Sequence, residues 1–389
     1  MKEKTSALYS GYIIDGALQK LTPAEILIRC MTQGNKEYES DTTEYEPVAD
    51  ETLDPPPGID GYEDKDIDKY LSAVRIAAKT EREFQTAFPE SFTRGKIAGS
   101  LIDTIWRNGR FRLGDLAVNT CWKWNTEPVG NMAAFYASVS AASEYIDNLG
   151  IGLCSYVFEQ KTEGPCFLGI ETVIRKKDVT SGDYDDENGF MEQPPGTENP
   201  EIGKGRKCNG TIATGDDSSW IIYIPFDSSE YLLGGSLLAE KTVTSGDIAP
   251  EIQDTGYFCD CYEVVRELVE DGIIISGITV GDGGLITALG KMMNGKAGIR
   301  AELYDIMKAN PGKDKSHILF SEIPGVIIQI KDSDYDYLDA ELLLQEVAYY
   351  PLGHPEKDSK SIKAESGGNS GIIKILQSLL NGQASEGED

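Results

Sequence analysis

Apolar positions recur every three to four residues through three stretches of the chain: Ile67 to Phe88 (YLSAVRIAAKTEREF at its centre), IAGSLIDTIWRN, and Asn131 to Asn148. In the third, Met132, Phe135, Val139, Ala142, Tyr145, Ile146 and Leu149 fall on one face, and Gly150 follows as a helix stop. This spacing predicts amphipathic helices, the last one capped by a glycine that tolerates left-handed backbone. Between them, LGDLAVNTCWKWN alternates as a strand does. IGLCSYVFEQ and CFLGIETVI read as two more strands, joined through KTEGP into a hairpin. Farther along come a strand at WIIYIPF, a turn within EYLLGGSLLAE and a helix at Tyr262 to Asp271. A strand at IIISGITV then breaks at Gly-Asp-Gly-Gly before a helical LITALGKMM. HILFSE and GVIIQI read as strands, followed by an acidic helix near Tyr335 to Gln345.

Low-hydrophobicity stretches divide these elements. An acidic extension or linker covers residues 1–66, an α/β domain 67–178, a Gly- and Pro-rich connection 179–217, and a second α/β domain 218–353. A flexible tail covers 354–389, polar except for GIIKILQSLLNGQ, where Ile372, Ile373, Ile375, Leu376, Leu379 and Leu380 form one apolar face. That short helix either docks on the body or binds a protein partner.

Composition narrows the function. At 389 residues the chain has room for two domains with real cores. No apolar run reaches the roughly 18 residues of a membrane span, and the start, MKEKTSALYSG, has no secretory signal, so a cytoplasmic protein is expected. A net charge of −29 repels nucleic acid, and the basic clusters RKK (175–177) and KGRK (204–207) are short and read as loop charges. Seven cysteines argue against a disulfide framework, and the pair Cys259 and Cys261 has no second pair to complete a metal site.

Two glycine corners are candidates for seating an anion: Gly234-Gly235-Ser236 and Asp282-Gly283-Gly284. Glycine lets backbone approach a phosphate, and a helix N-terminus favours negative charge. The same residues also serve where a helix must touch a strand closely, with Ser or Asp as an ordinary cap, and the sequence leaves both readings open. Trp122 and Trp124 share a strand face and either stack a base or fill the core, the more frequent use of such aromatics. Acid–base chemistry through histidine has two candidates, His317 and His354, the second in the turn PLGHP.

Five segments in order resemble a known family: AGSLIDTIWRN, VNTCWKWNTEPVGNMAAFYASVSAASEYIDNLGIGL, YLLGGSLLAE, SGITVGDGGLITALGKMM and ILFSEIPGVIIQI. Across about residues 95–353 the chain resembles the phosphoribosylformylglycinamidine synthase and aminoimidazole ribonucleotide synthetase superfamily, specifically the second synthetase-like half of the large synthase. The resemblance implies a two-domain α/β (α+β) unit, its N-terminal half pairing into a dimeric barrel and its C-terminal half a sheet covered by helices. A homodimer follows, as does a role in purine biosynthesis with a phosphate-bearing small molecule, ATP and magnesium. It also implies that the large enzyme's glutaminase domain and first synthetase copy are absent.

In the same way the resemblance marks Gly234, Gly235, Ser236, Asp282, Gly283, Gly284 and Glu322 for nucleotide or phosphate, and Asp103 and Asn108 for metal. Departures accompany it. Ile278-Thr279 stands where the family has His-Asp, Gly152-Leu153-Cys154-Ser155 replaces Gly-Lys-Asp-Ser, and Asp103 and Asn108 are five residues apart instead of four. The expectation is a ligand-binding relative with degenerate catalytic residues or, alternatively, a non-catalytic structural or partner-binding module. An active form would be an ATP-dependent ligase.

Overall fold

The computed structural model describes residues 6–31, 38–40, 59–60, 81–175, 204–242, 248–293, 297–357 and 362–365. The tail helix expected at 372–380 lies outside them, as do residues 67–80 of the first expected helix. Residues 81–88 are irregular instead of helical, tied down where the amide of Phe84 donates to the carbonyl of Cys166 at 2.7 Å. Helix α1 begins only at Pro89 and runs Pro89–Ile102, because proline at the first turn fixes the helical φ without removing a bond.

The first sheet is built from β1 (Leu116–Asn125), β2 (Gly152–Lys161) and β3 (Phe167–Arg175), with helix α2 (Asn131–Asn148) between β1 and β2. The expected hairpin is not formed. β1 lies between β2 and β3, parallel to the first and antiparallel to the second. An α2 crossover delivers β2 parallel to β1, and β1, whose residues are buried on both faces along much of its length, takes the centre. The short strand Tyr38–Ser40 pairs with β3 at one edge. Trp122 and Trp124 are fully buried, their indole N–H groups donating to Ser138 Oγ and the Asn131 carbonyl, which is the core use of aromatics. A register shift between Val118 and Asn119 leaves Cys154 without a partner on β1, half-buried, while Leu153 is fully buried.

The second sheet has four antiparallel strands, introduced in chain order as β4 (Trp220–Pro225), β5 (Ile274–Val280), β6 (Gly325–Ile330) and β7 (Tyr350–Gly353), arranged β7-β4-β6-β5. Both of its faces are covered, so WIIYIP and GVIIQI read as unbroken apolar runs. Ile222, Ile224, Val326 and Ile328 face a core shared with α2 and with helix Thr255–Glu270. Ile221, Tyr223, Ile327 and Val280 face a second core under helix Gly284–Met293. The one buried polar side chain of β6, Gln329, is satisfied by both backbone groups of Ala213 and by Ser219. HILFSE is not a strand: Lys315–Phe320 forms a short helix whose first turn is capped by Asp314, which accepts from the amide of His317. A smaller sheet joins Gly298–Glu302, Pro355–Glu356, Ile362–Glu365 and Ile59–Asp60, so segments from the expected extension and tail pair together. Among the described residues no helix is long and apolar enough to cross a membrane.

Candidate functional site

One cavity of about 560 Å³ opens between α1, β3 and the second sheet. Gly95, Lys96, Gly99, Ser100 and Asp103 line it at the three-to-four-residue spacing of one helix face, two glycines keeping that face low and Lys96 and Asp103 standing at its ends. Gly234, Gly235 and Ser236 form the facing wall, with Thr279, Gly281, Asp282, Lys291 and Glu322. The two glycine corners, nearly fifty residues apart in the chain, are thus brought to one place. Gly283 and Gly284 are not among the lining residues and stand behind Asp282.

Both corners are closed by the chain's own groups. Glu322 Oε1 accepts from the amides of Leu237 at 2.9 Å and Gly283 at 2.7 Å, so one carboxylate bridges the starts of helices Leu237–Thr242 and Gly284–Met293. The amides of Gly234, Ser236 and Gly284 donate to Ile248, Leu233 and Gly281 carbonyls. Ser236 Oγ caps its helix through the amide of Ala239. The glycines here serve close packing: a Cβ on Gly284, whose φ is +69°, would stand 2.7 Å from the Ser321 carbonyl, and one on Gly234 would meet the Ile248 backbone.

Arg82 holds the centre. It donates from Nη1 to Asp282 at 2.8 Å and Glu322 at 2.6 Å, from Nε and Nη2 to Glu240 at 3.1 and 2.7 Å, and from Nη2 to the Gly235 carbonyl. Lys96 Nζ meets the other Asp282 oxygen at 2.6 Å, and both cations lie over the Phe92 ring. Burial pushes Asp282 upward, but Lys96 and Arg82 overcome it and hold the carboxyl below its ordinary range. Glu322 moves the other way: burial raises it, and Asp282 beside it adds to the rise against the pull of Arg82 and the two amides.

Asp103 accepts from the hydroxyl of Thr279, which in turn accepts from Trp106 Nε1 at 2.9 Å. Thr279 therefore ties the turn after α1 to β5 while lining the cavity. Asp103 is open to the cavity yet ringed by protein, and that enclosure raises its carboxyl pKa against Thr279, Arg206 and Lys291. Asn108 is exposed and does not line the cavity.

No protein-family model matches the chain. Curated relatives do. It is 23% identical over 276 residues to a probable phosphoribosylformylglycinamidine synthase, chloroplastic/mitochondrial, of Arabidopsis thaliana, covering 68% of this chain and 17% of that protein. It is 23% identical over 290 residues to the Drosophila melanogaster phosphoribosylformylglycinamidine synthase, covering 69% and 19%. The chain therefore spans under a fifth of the length of these relatives. Among solved structures, PurLQS from Thermotoga maritima matches with a TM-score of 0.50 at 10% identity, over 72% of this chain and 40% of that one. T. maritima PurL complexed with FGAR matches with a TM-score of 0.50 at 12% identity, over 72% and 41%. In sequence the chain is similar to phosphoribosylformylglycinamidine synthases over about two thirds of its length.

The magnesium that this superfamily implies does not fit the residues present. Asp103 and Asn108 are not brought to one point. The carboxylates that do converge are occupied by Arg82 and Lys96, and among the described residues no three His, Cys, Asp or Glu side chains form a metal cluster. Cys259 is half-buried and Cys261 fully buried on one helix, and His354 packs on Trp220.

Four of the residues that matter most here were not singled out from the sequence, Arg82, Lys96, Glu240 and Lys291, and Arg206, read within KGRK as a loop charge, is instead buried at the cavity and donates to the Cys208 and Gly277 carbonyls. Two carried a readable signal. Lys96 sits on the same helix face as Asp103, and Lys291 is the one charged residue of the otherwise apolar GLITALGKMM. Arg82, inside TEREF, carried none.

Proposed function

We propose that this chain is a phosphoribosylformylglycinamidine synthase-like protein that binds a phosphate-bearing small molecule, of nucleotide or phosphoribosyl type, without carrying out phosphoryl transfer. The observation that carries this reading is the convergence of both glycine corners with four cations, Arg82, Lys96, Arg206 and Lys291, on one cavity of a chain whose net charge is −29. Four carboxylates line the same cavity, so its charge is balanced where the chain as a whole strongly repels anions. The binding of FGAR by the matched T. maritima PurL supports a phosphoribosyl ligand, with ATP as the nucleotide to try alongside it. Gly234, Gly235, Ser236, Asp282 and Glu322 shape the wall with Gly283 and Gly284 behind it, and Lys96 and Lys291 meet the ligand's charge.

Chemistry in such enzymes depends on donors aimed at a transferring phosphoryl group. Here Thr279 is bonded to Asp103 and Trp106, and Leu153 is buried in the first sheet, which supports a degenerate site. The test is thermal melting with ATP, with FGAR and with both, in parallel with measurement of phosphate release. A rise in Tm without release is expected. Release that depends on FGAR would make the chain an ATP-dependent ligase, and no rise with either compound would remove the ligand.

The second reading, a structural module without a small-molecule ligand, is favoured by Glu322, which already occupies the amides of both corners. Under either reading we propose a cytoplasmic homodimer that pairs its first sheet with that of a second copy as a barrel. Sedimentation at micromolar concentration checks it: a single monomeric species would exclude the pairing.

A further inference from the structure

Glu240 and the carbonyl of Gly235, together with Asp282 and Glu322, come from three separate parts of the chain and aim oxygen atoms at one centre. An all-oxygen donor set of this kind is what hard divalent cations use. Its occupant is the guanidinium of Arg82, with five hydrogen bonds matching its five N–H donors and only 5% of the side chain exposed. Lys96 adds a second positive charge on the far oxygen of Asp282. Between them the two side chains supply the charge of one divalent ion, at positions fixed by the backbone and by the Phe92 ring beneath both.

We propose that Arg82, assisted by Lys96, is a built-in substitute for a divalent cation, so that the cavity excludes metal and takes its phosphate-bearing ligand without magnesium. The ligand half rests on the function proposed above, whereas exclusion of metal rests on the geometry alone. A guanidinium is permanently charged, needs no recruitment from solution and presents its donors in a planar fork, so the carboxylates stay at the spacing of that fork and not at the tighter spacing of a coordination sphere.

The two halves are tested separately on the full chain. For exclusion, manganese binding is followed by electron paramagnetic resonance. The unaltered protein is expected to show only weak surface binding, and Arg82→Ala one additional site per chain, about tenfold tighter than that background. Arg82→Lys, which keeps the charge, is expected to gain none. Arg82→Gln gives the same reading as Arg82→Ala should the alanine variant fail to fold. A tight manganese ion on the unaltered protein, or no gain in a folded Arg82→Ala or Arg82→Gln, would overturn the proposal. For the ligand, pyrophosphate is titrated calorimetrically in magnesium and in excess chelator. Affinities within about twofold of each other are expected, and a loss of about tenfold or more in chelator overturns metal independence. Absence of pyrophosphate binding in both conditions overturns the ligand half together with the proposed function, and the manganese result still decides exclusion.

Discussion

Two arginines of this chain are almost equally buried, each against three carboxylates, and they do opposite jobs. Arg266 is 4% exposed and pairs with Glu263, Glu267 and Glu270, all within four residues on one helix. Arg82 is 5% exposed and pairs with Glu240, Asp282 and Glu322, each more than 150 residues away. The first cluster would form in any folded copy of that helix and adds little beyond its surface. The second exists only once α1, both glycine corners and the loop before β6 are in place, so it reports the assembled site. The difference teaches that counting ion pairs says less than asking how far along the chain their partners lie.

The largest effect expected from breaking this contrast is Arg82→Ala, which strands three converging carboxylates. A cost of about 3–5 kcal/mol in urea unfolding at neutral pH is expected. Arg266→Ala is expected to lose about 1 kcal/mol or less, since two of its partners face water. Equal losses would mean that Arg82 is only another helix-surface charge. Next in size is Glu322→Ala, which frees the amides of Leu237 and Gly283 and leaves Arg82 with one carboxylate fewer. About 2–3 kcal/mol is expected. Added inorganic phosphate is expected to restore part of that loss in the variant while leaving the unaltered protein unchanged, because the freed amides resemble an anion seat. A variant indifferent to phosphate would show that the corners cannot hold an anion even when vacated.

How much of this could be read beforehand follows the same division between local and distant. Helix α2 with its stop at Gly150, the apolar runs of β4 and β6, and both glycine corners are written in spacing within about twenty residues, and each was legible. The failures lie where distant chain decides. IGLCSYVFEQ and CFLGIETVI look like a hairpin until β1 inserts between them, and nothing in KTEGP announces that insertion. HILFSE has strand-like residues, but the Asp314 cap and burial of Ile318, Leu319 and Phe320 make it a helical turn. Arg82 carries no local signal, because its partners lie more than 150 residues away along the chain. In the site, the glycines were legible as tight corners, but which anion fills them was not, since Glu322 arrives from another element.

The corner itself separates packing from ligand contact. Gly284→Ala places a Cβ against the Ser321 and Leu319 carbonyls at positive φ, and a loss of about 2 kcal/mol is expected from urea unfolding. Gly272→Ala, also at positive φ but with nothing within 4 Å, is expected to lose about 1 kcal/mol. If the two cost the same, close approach at Gly284 is not what the glycine is for.

The smallest effect, and the one with a sign, concerns Lys96. Asp282 is held below the ordinary carboxylate range although burial works against it, and Lys96 at 2.6 Å is the strongest cause of the lowering. A carboxyl depressed in the folded state stabilises the fold above its unfolded pKa of about 3.9, and that contribution disappears as pH falls through the depressed value. Lys96→Met removes part of the depression, so Asp282 in the variant protonates at a higher pH. The stability difference between the two proteins is therefore expected to be constant, about 1 kcal/mol, from neutral pH down to about pH 5. It then shrinks below pH 4 as the carboxyl loses its charge in the unaltered protein too. Glu322, raised by burial, titrates in both proteins and largely cancels from the difference. Urea unfolding of each at pH 7, 5, 4 and 3 measures it. A difference that stays undiminished at pH 3 would mean that Lys96 stabilises through its contact with the Phe92 ring and not through Asp282, and the two cations would then no longer count as one divalent charge.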